Sequence, residues 1–264
     1  MFWLTYRQHR TQLLITAGLL VVVGIVLLVN GNAVVGSPDP AKLFSDLYTY
    51  LSWLQVVPVA IGVFWGAPLV AAEYERGTTK LVWTQSISRF RWLGVKVGFL
   101  AVLATLGGLA FGTMTQRWIE VFPTDRGDTA FTSRFDNPVL FAMTGVAPGA
   151  WWLFGFVLGT AAGAIVRKTL PAIAVTIAVT VGLMIGVVNF RDRYAEPELV
   201  TLGTGREPAG RVLEMIRDAT GEITALKVLP HDWYWRFQWT EAAILAGVSL
   251  LLAVSATFAI RRRS

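Results

Sequence analysis

Between two long apolar runs lies a polar, basic stretch of 24 residues, Glu73-Tyr-Glu-Arg-Gly-Thr-Thr-Lys-Leu-Val-Trp-Thr-Gln-Ser-Ile-Ser-Arg-Phe-Arg-Trp-Leu-Gly-Val-Lys96. A hairpin between two membrane spans needs only a turn, whereas this connector carries seven charges. Tyr74, Thr78, Leu81 and Gln85 fall on one helical face, with Glu75, Arg76, Thr79 and Lys80 on the other. The chemistry such a stretch offers is charge-complementary docking. A short helix of this kind is rigid enough to transmit a push and charged enough to bind selectively. A solvated loop that serves only to fix topology is the plainer alternative.

Catalytic chemistry is poorly represented. The chain has no cysteine, which removes disulfides, thiolate metal sites and thiol nucleophiles. Its two histidines, His9 and His231, lie far apart in sequence, and no metal site is expected. Adjacent His231-Asp232 cannot by themselves build the spatial triad that acyl transfer needs. Glu241, at the start of an apolar run, reads as an interfacial carboxylate. No phosphate-binding Gly-x-x-x-x-Gly-Lys-Ser/Thr occurs; Gly159-Thr-Ala-Ala-Gly-Ala-Ile-Val-Arg-Lys-Thr169 has the wrong spacing. An enzyme is not expected.

The elements that must position the connector are apolar. Hydrophobic residues make up 54% of the 264 and charged residues only 15%, against about 25% in soluble domains. Six segments are long enough to cross a bilayer: residues 13–29, 51–70, 97–115, 147–166, 170–188 and 242–260. Pro58 and Pro68 lie inside the second, which is expected to kink or break. Twelve of the 23 basic residues flank one side, at the amino terminus, the connector, Arg167-Lys168 and Arg261–Arg263, against two acidic ones. The positive-inside rule places that side, with both termini, in the cytoplasm. The basic balance thus reflects topology, and nucleic acid is not an expected partner.

Span centres carry no Asp, Glu, Lys, Arg or His, so a proton-driven antiporter is hard to build. Gln55 and Asn189 are the polar residues that could line a substrate path. Gly108/Gly112, Gly155/Gly159/Gly163 and Gly182/Gly186 give small faces for packing inside the chain. Trp233, Tyr234, Trp235, Phe237 and Trp239 read as an interfacial belt. In the large external segment 190–240, Val212, Met215, Ile216 and Ala219 recur at helical spacing and predict a short amphipathic helix.

The connector resembles the first cytoplasmic loop of type-2 ABC exporter permeases. The similarity rests on Glu73 or Glu75, then Gly77-Thr78, Ser88-Arg89, and Lys96 opening the next span. Trp3–Arg10 resembles the interfacial amino-terminal helix of actinobacterial members, and Pro230, Phe237-Gln238 and Glu241 resemble the approach to their last span. The resemblance implies that Glu73, Tyr74, Glu75, Arg76, Gly77, Thr78, Lys80, Leu81, Gln85, Ser88 and Arg89 form an ATPase-coupling loop. It further implies two permeases, as a homodimer or heterodimer, with two ABC ATPase subunits that hold ATP and magnesium, no cofactor being held by this chain. Alternating access would follow, with spans 2 and 5 lining the path.

The expectation is therefore an all-α polytopic membrane protein, one transmembrane permease domain over residues 1–264. It would have six transmembrane helices, both termini cytoplasmic, an amphipathic amino-terminal interfacial helix, and a large external loop between spans 5 and 6. Its setting would be the bacterial plasma membrane and its cargo a hydrophobic or amphipathic drug, antibiotic, lipid or peptide. The competing expectation is a membrane-embedded immunity or signalling protein that binds a cytoplasmic partner without transport.

Overall fold

Long uncharged runs leave the backbone no water to bond, so each must close its hydrogen bonds within a helix. The computed structural model describes residues 2–75, 89–122, 133–201 and 210–262. The described elements begin with α1 (Phe2–Val34), α2 (Pro40–Leu51), α3 (Val57–Ile61) and α4 (Ala67–Glu75). Then come α5 (Arg89–Ile119), α6 (Pro138–Met143), α7 (Ala147–Val166) and α8 (Thr169–Phe190). Strands β1 (Glu198–Thr201), β2 (Gly210–Arg217) and β3 (Ile223–Pro230) follow, and α9 (Tyr234–Arg262) closes the chain. Among the described residues, six helical stretches are long and apolar enough to cross a membrane, making this a multi-pass membrane protein. Trp3–Arg10 is helical and continuous with the first span in α1.

The second span is broken as its prolines require. Between α2 and α3 a 3-10 turn runs over Ser52–Val56, and between α3 and α4 a π turn runs over Gly62–Gly66. Pro58 has no N–H for the Leu54 carbonyl, and the Val57 amide bonds that carbonyl instead. Pro68 likewise cannot serve the Phe64 carbonyl; Gln12 Nε2 of α1 donates to it at 2.8 Å. The irregular backbone is thus repaired by a neighbouring helix, as a membrane demands.

The hub is α7. Of its membrane-crossing window 83% is buried within the chain, against 11% for the first span and 22% for each of the fifth and sixth. A helix apolar all round belongs inside a bundle, and glycine lets it approach its neighbours. A Cβ on Gly155 would meet the Pro58 carbonyl oxygen, one on Gly159 that of Gly62, and one on Gly163 that of Ala67 at 2.5 Å. The second and fourth spans therefore touch backbone to backbone. By contrast, a Cβ on Gly182 or Gly186 of α8 would meet nothing within 4 Å, so that pair does not pack inside the chain as expected.

At the opposite end from the amino terminus, Asn30 of α1 donates to the Leu43 carbonyl and accepts from Trp118 Nε1 at 2.8 Å. Phe44 of α2 stacks on Trp118 with centroids 5.2 Å apart. Asp39 caps α2 by accepting from the Lys42 amide at 3.0 Å.

The segment between α8 and α9 corrects one expectation. The predicted amphipathic helix is instead part of an antiparallel sheet of order β1-β3-β2. Val212, Met215 and Ile216 lie in β2, opposite Val228, Leu226 and Ala225 of β3. The β2–β3 turn decides the matter: Asp218 Oδ1 accepts from the Thr220 and Glu222 amides, and Gly221 takes φ +87°. Asp-Ala-Thr-Gly closes the hairpin where a helix would have had to continue, and β3 buries Ala225, Leu226, Val228 and Leu229. The aromatic cluster before the last span is divided as well. Tyr234 and Phe237 are buried on Phe141 and Phe135, whereas Trp235 and Trp239 face outward.

Candidate functional site

The acidic residues that open the connector sit at the end of α4, and the structure shows what each touches. Lys96, only 7% exposed, donates to Glu73 Oε1 at 2.9 Å. That pair joins the second span to the third. Glu75 receives two hydrogen bonds from Thr169, the backbone amide at 2.9 Å and the hydroxyl at 2.7 Å. Since Thr169 is the first residue of α8, a carboxylate borrowed from another helix satisfies an open amide there and opposes the positive end of the helix dipole.

Between these two carboxylates, Tyr74 meets the turn between α7 and α8. Arg167 ends α7 in the left-handed region (φ 61°) and lays its guanidinium over the Tyr74 ring, 4.6 Å from the centroid. Left-handed backbone is unfavourable for a side chain with a Cβ, and here the cation–π contact accompanies it. Glu73, Tyr74 and Glu75 thus root the connector in the third span, the α7–α8 turn and the fifth span.

Of the other coupling-loop residues, Arg76, Gly77, Thr78, Lys80, Leu81, Gln85 and Ser88 lie outside the described residues, and Arg89 opens α5. Lys96 was read as a family mark; its ion pair with Glu73 was not foreseen. Arg167 and Thr169 were missed as partners, although the Arg-Lys-Thr turn marked the right end of the bundle. As a test, Glu75→Ala should cost about 1 kcal/mol, the usual size of a lost helix cap. Thermal unfolding of the purified chain checks this.

Gln55 is half-buried in the 3-10 turn, and Asn189 is exposed on α8, with its side chain donating to the Ile185 carbonyl at 2.7 Å. No described contact brings the two together.

The far end of the bundle holds a second polar assembly. Glu241, fully buried, lies 3.0 Å from Arg191 and accepts from Trp151 Nε1 at 2.8 Å. The Arg191 guanidinium covers the Phe141 ring at 3.9 Å. Three residues earlier, buried Gln238 accepts from the Val146 and Ala147 amides and donates to the Phe141 carbonyl. Glu241 is therefore an internal anchor and not an interfacial carboxylate. Its partner Arg191 lies 50 positions away, so spacing could not reveal it.

His231 turns away from the acid–base reading. Its Nε2 lies 3.0 Å from Asp136 Oδ2, across the loop before α6. Burial pushes the Asp136 carboxyl up, but hydrogen bonds to His231 and Ser133 outweigh it and hold the group below its ordinary value. Asp136 therefore adds stability above its unfolded pKa, and that contribution is lost as the pH falls through the lowered value.

A family model described as ABC-2 membrane transporter related matches residues 38–191, more than half of the chain. The matched stretch spans the second to fifth membrane crossings, including Glu73, Glu75, Lys96, Arg167 and Thr169. Comparison with curated proteins and with solved structures returns no match.

Proposed function

Because this chain belongs to the ABC-2 membrane transporter-related family, a permease-like subunit of an ABC transporter that associates with an ATPase, we propose that it is half of an exporter. It sits in the bacterial plasma membrane with both termini and residues 76–88 in the cytoplasm. Two copies, or one copy with a related chain, assemble with two ATPase subunits that hold ATP and magnesium. ATP-driven closure of the ATPases moves the stretch Glu73–Arg89. The cargo is hydrophobic or amphipathic, since the span centres offer no charged recognition group, and Gln55 and Asn189 face its path in the assembled pair.

One observation carries this reading. Within the family-matched region, the connector's first residues are tied to the third and fifth spans and to the α7–α8 turn. A force applied just beyond them enters several helices at once. The outward faces of α1, α8 and α9, where a Cβ on Gly182 or Gly186 would meet nothing within 4 Å, leave surface for a second permease.

Co-purification with the ATPase encoded beside it tests the proposal. Glu73 and Glu75 are poor choices for substitution, because each also holds the bundle together. Reversing charge at Arg76 and Lys80 together is expected to leave insertion and unfolding temperature unchanged. The same change should lower retained ATPase at least about tenfold, the loss of roughly 1.4 kcal/mol of docking energy. If ATPase binding and cargo-stimulated turnover both persist, the connector is not the docking element.

A further inference from the structure

At the end of the bundle away from the connector, the third candidate span stops at Ile119 and the sixth starts at His231. Between them lies an open-sided recess of about 550 Å³. Buried Phe122, Phe135 and Tyr234 line it, and Glu120, Arg134, His231 and Asp232 bring charge to it. Those charges do not cancel locally. Glu120 meets two guanidiniums, Arg134 at 3.2 Å and Arg117 at 3.4 Å, which leaves one positive charge over on that wall. Arg134 lies above the Tyr234 ring, 4.9 Å from its centroid, and spends only Nη1 on Glu120. None of its nitrogens is both buried and unpartnered, so Nε and Nη2 keep accessible surface. On the other wall His231 is already matched by Asp136. Asp232 beside it is exposed and, among the described residues, has no hydrogen bond or ion pair. Trp235, three positions on and so its neighbour across one helical turn, is 44% exposed.

We propose that this recess holds the head of a zwitterionic phospholipid, its phosphate on Arg134 and its ammonium between the Asp232 carboxylate and the Trp235 ring. A guanidinium with free N–H groups suits a phosphate, and a carboxylate beside an aromatic face suits an ammonium. An anionic lipid brings nothing to Asp232, and a cationic lipid without phosphate brings nothing to Arg134. Position selects a lipid over a dissolved zwitterion. The recess opens where two spans end, and Trp235 and Trp239 face outward from the first turns of α9, as aromatic residues do at headgroup level.

The proposal goes beyond the transport reading, and its test needs neither ATPase nor cargo. The full chain in detergent is titrated with phosphatidylethanolamine, phosphatidylglycerol, a dioleoyl trimethylammonium lipid, or tail-less glycerophosphoethanolamine. Native mass spectrometry reads retained lipid, and hydrogen exchange locates it. Phosphatidylethanolamine is expected to be retained about fivefold better than either singly charged lipid, the equivalent of one surface ion pair. It should also slow exchange in residues 133–135 and 231–235, whereas the tail-less head should not. Asp232→Asn removes a side chain with no partner to lose, so unfolding temperature should hold. That variant should retain phosphatidylethanolamine no better than phosphatidylglycerol, and a merely structural change would not erase the preference in this way. Trp235→Leu should weaken phosphatidylethanolamine and leave phosphatidylglycerol unchanged. Equal retention of the three lipids by the parent chain, or protection absent from these segments, overturns the proposal. So does a preference that survives Asp232→Asn. Protection by the tail-less head at the same concentration overturns the membrane lipid as occupant. Loss of lipid retention with the ATPase still bound leaves the transport reading untouched.

Discussion

Gly159→Leu is expected to force the second and fourth spans apart and to leave little well-folded protein. A Cβ at this position would already meet the Gly62 carbonyl oxygen, with the Ala67 amide nitrogen at 2.8 Å and the Gly62 carbonyl carbon at 3.0 Å. These are backbone atoms, which cannot swing aside as a side chain does. Inserting side-chain carbon into a packed core ordinarily costs about 1–3 kcal/mol. Here two helices must separate along their length, so about 3 kcal/mol or more is expected. Gly155 and Gly163 lie against the same span and would share the displacement. The measurement is yield of monodisperse protein after solubilisation, with a thermal midpoint lowered by roughly 5–10 °C in the material recovered. Gly182→Leu is the control, because nothing lies within 4 Å of a Cβ there. It should leave the single chain as stable as before and, if a second permease docks on α8, weaken only that association. Equal stability of the Gly159→Leu and Gly182→Leu chains would mean that the close crossing does not hold the bundle.

The contrast between these glycines shows what spacing can and cannot convey. Both sets occur at four-residue intervals on apolar helices, so both read as small faces fit for packing. Only the three-dimensional arrangement reveals that one set lies against Pro58–Ala67, while a Cβ on either glycine of the other would meet nothing within 4 Å. Span existence was plain because length and lack of charge decide it; α7 runs over the predicted Ala147–Val166. Pro58 and Pro68 foretold the break in the second span, since a missing N–H must disturb any helix. The sheet was missed for a physical reason. Val212, Met215, Ile216 and Ala219 satisfy helical spacing, yet the pairing of the first three is decided by β3 and by the Asp218–Gly221 turn that holds Ala219, which a count of apolar positions does not weigh. The connector's acidic residues stand out in the sequence, but the sequence shows only that they are charged. That Glu73 faces Lys96 and Glu75 caps α8 depends on how four helix ends converge.

Glu241→Ala is the second large expected effect. The carboxylate is fully buried and Arg191 is 3% exposed, so removing one partner strands a guanidinium on the Phe141 ring with no counter-charge. Breaking a buried pair in this way costs about 3–5 kcal/mol. Glu241→Gln keeps an acceptor for Trp151 and much of the volume, and should still lose most of that amount, because the charge rather than the shape balances Arg191. Trp151→Phe removes one hydrogen bond to a charged group and should cost less, about 1.5–3 kcal/mol. The informative variant is the double replacement Arg191→Met with Glu241→Leu. With both charges gone, no buried ion remains unpaired, and much of the loss should be recovered, short of the about 1–3 kcal/mol for the Trp151 Nε1–H left without its acceptor. A double-mutant cycle on unfolding midpoints measures the coupling directly. If the double variant is as unstable as Glu241→Ala, the cost comes from packing and the ion pair is incidental. If it recovers, the anchor between α8 and α9 is electrostatic. The same double variant then separates architecture from action: a stable chain that no longer supports ATP-driven cargo movement would place a transport role on the pair itself.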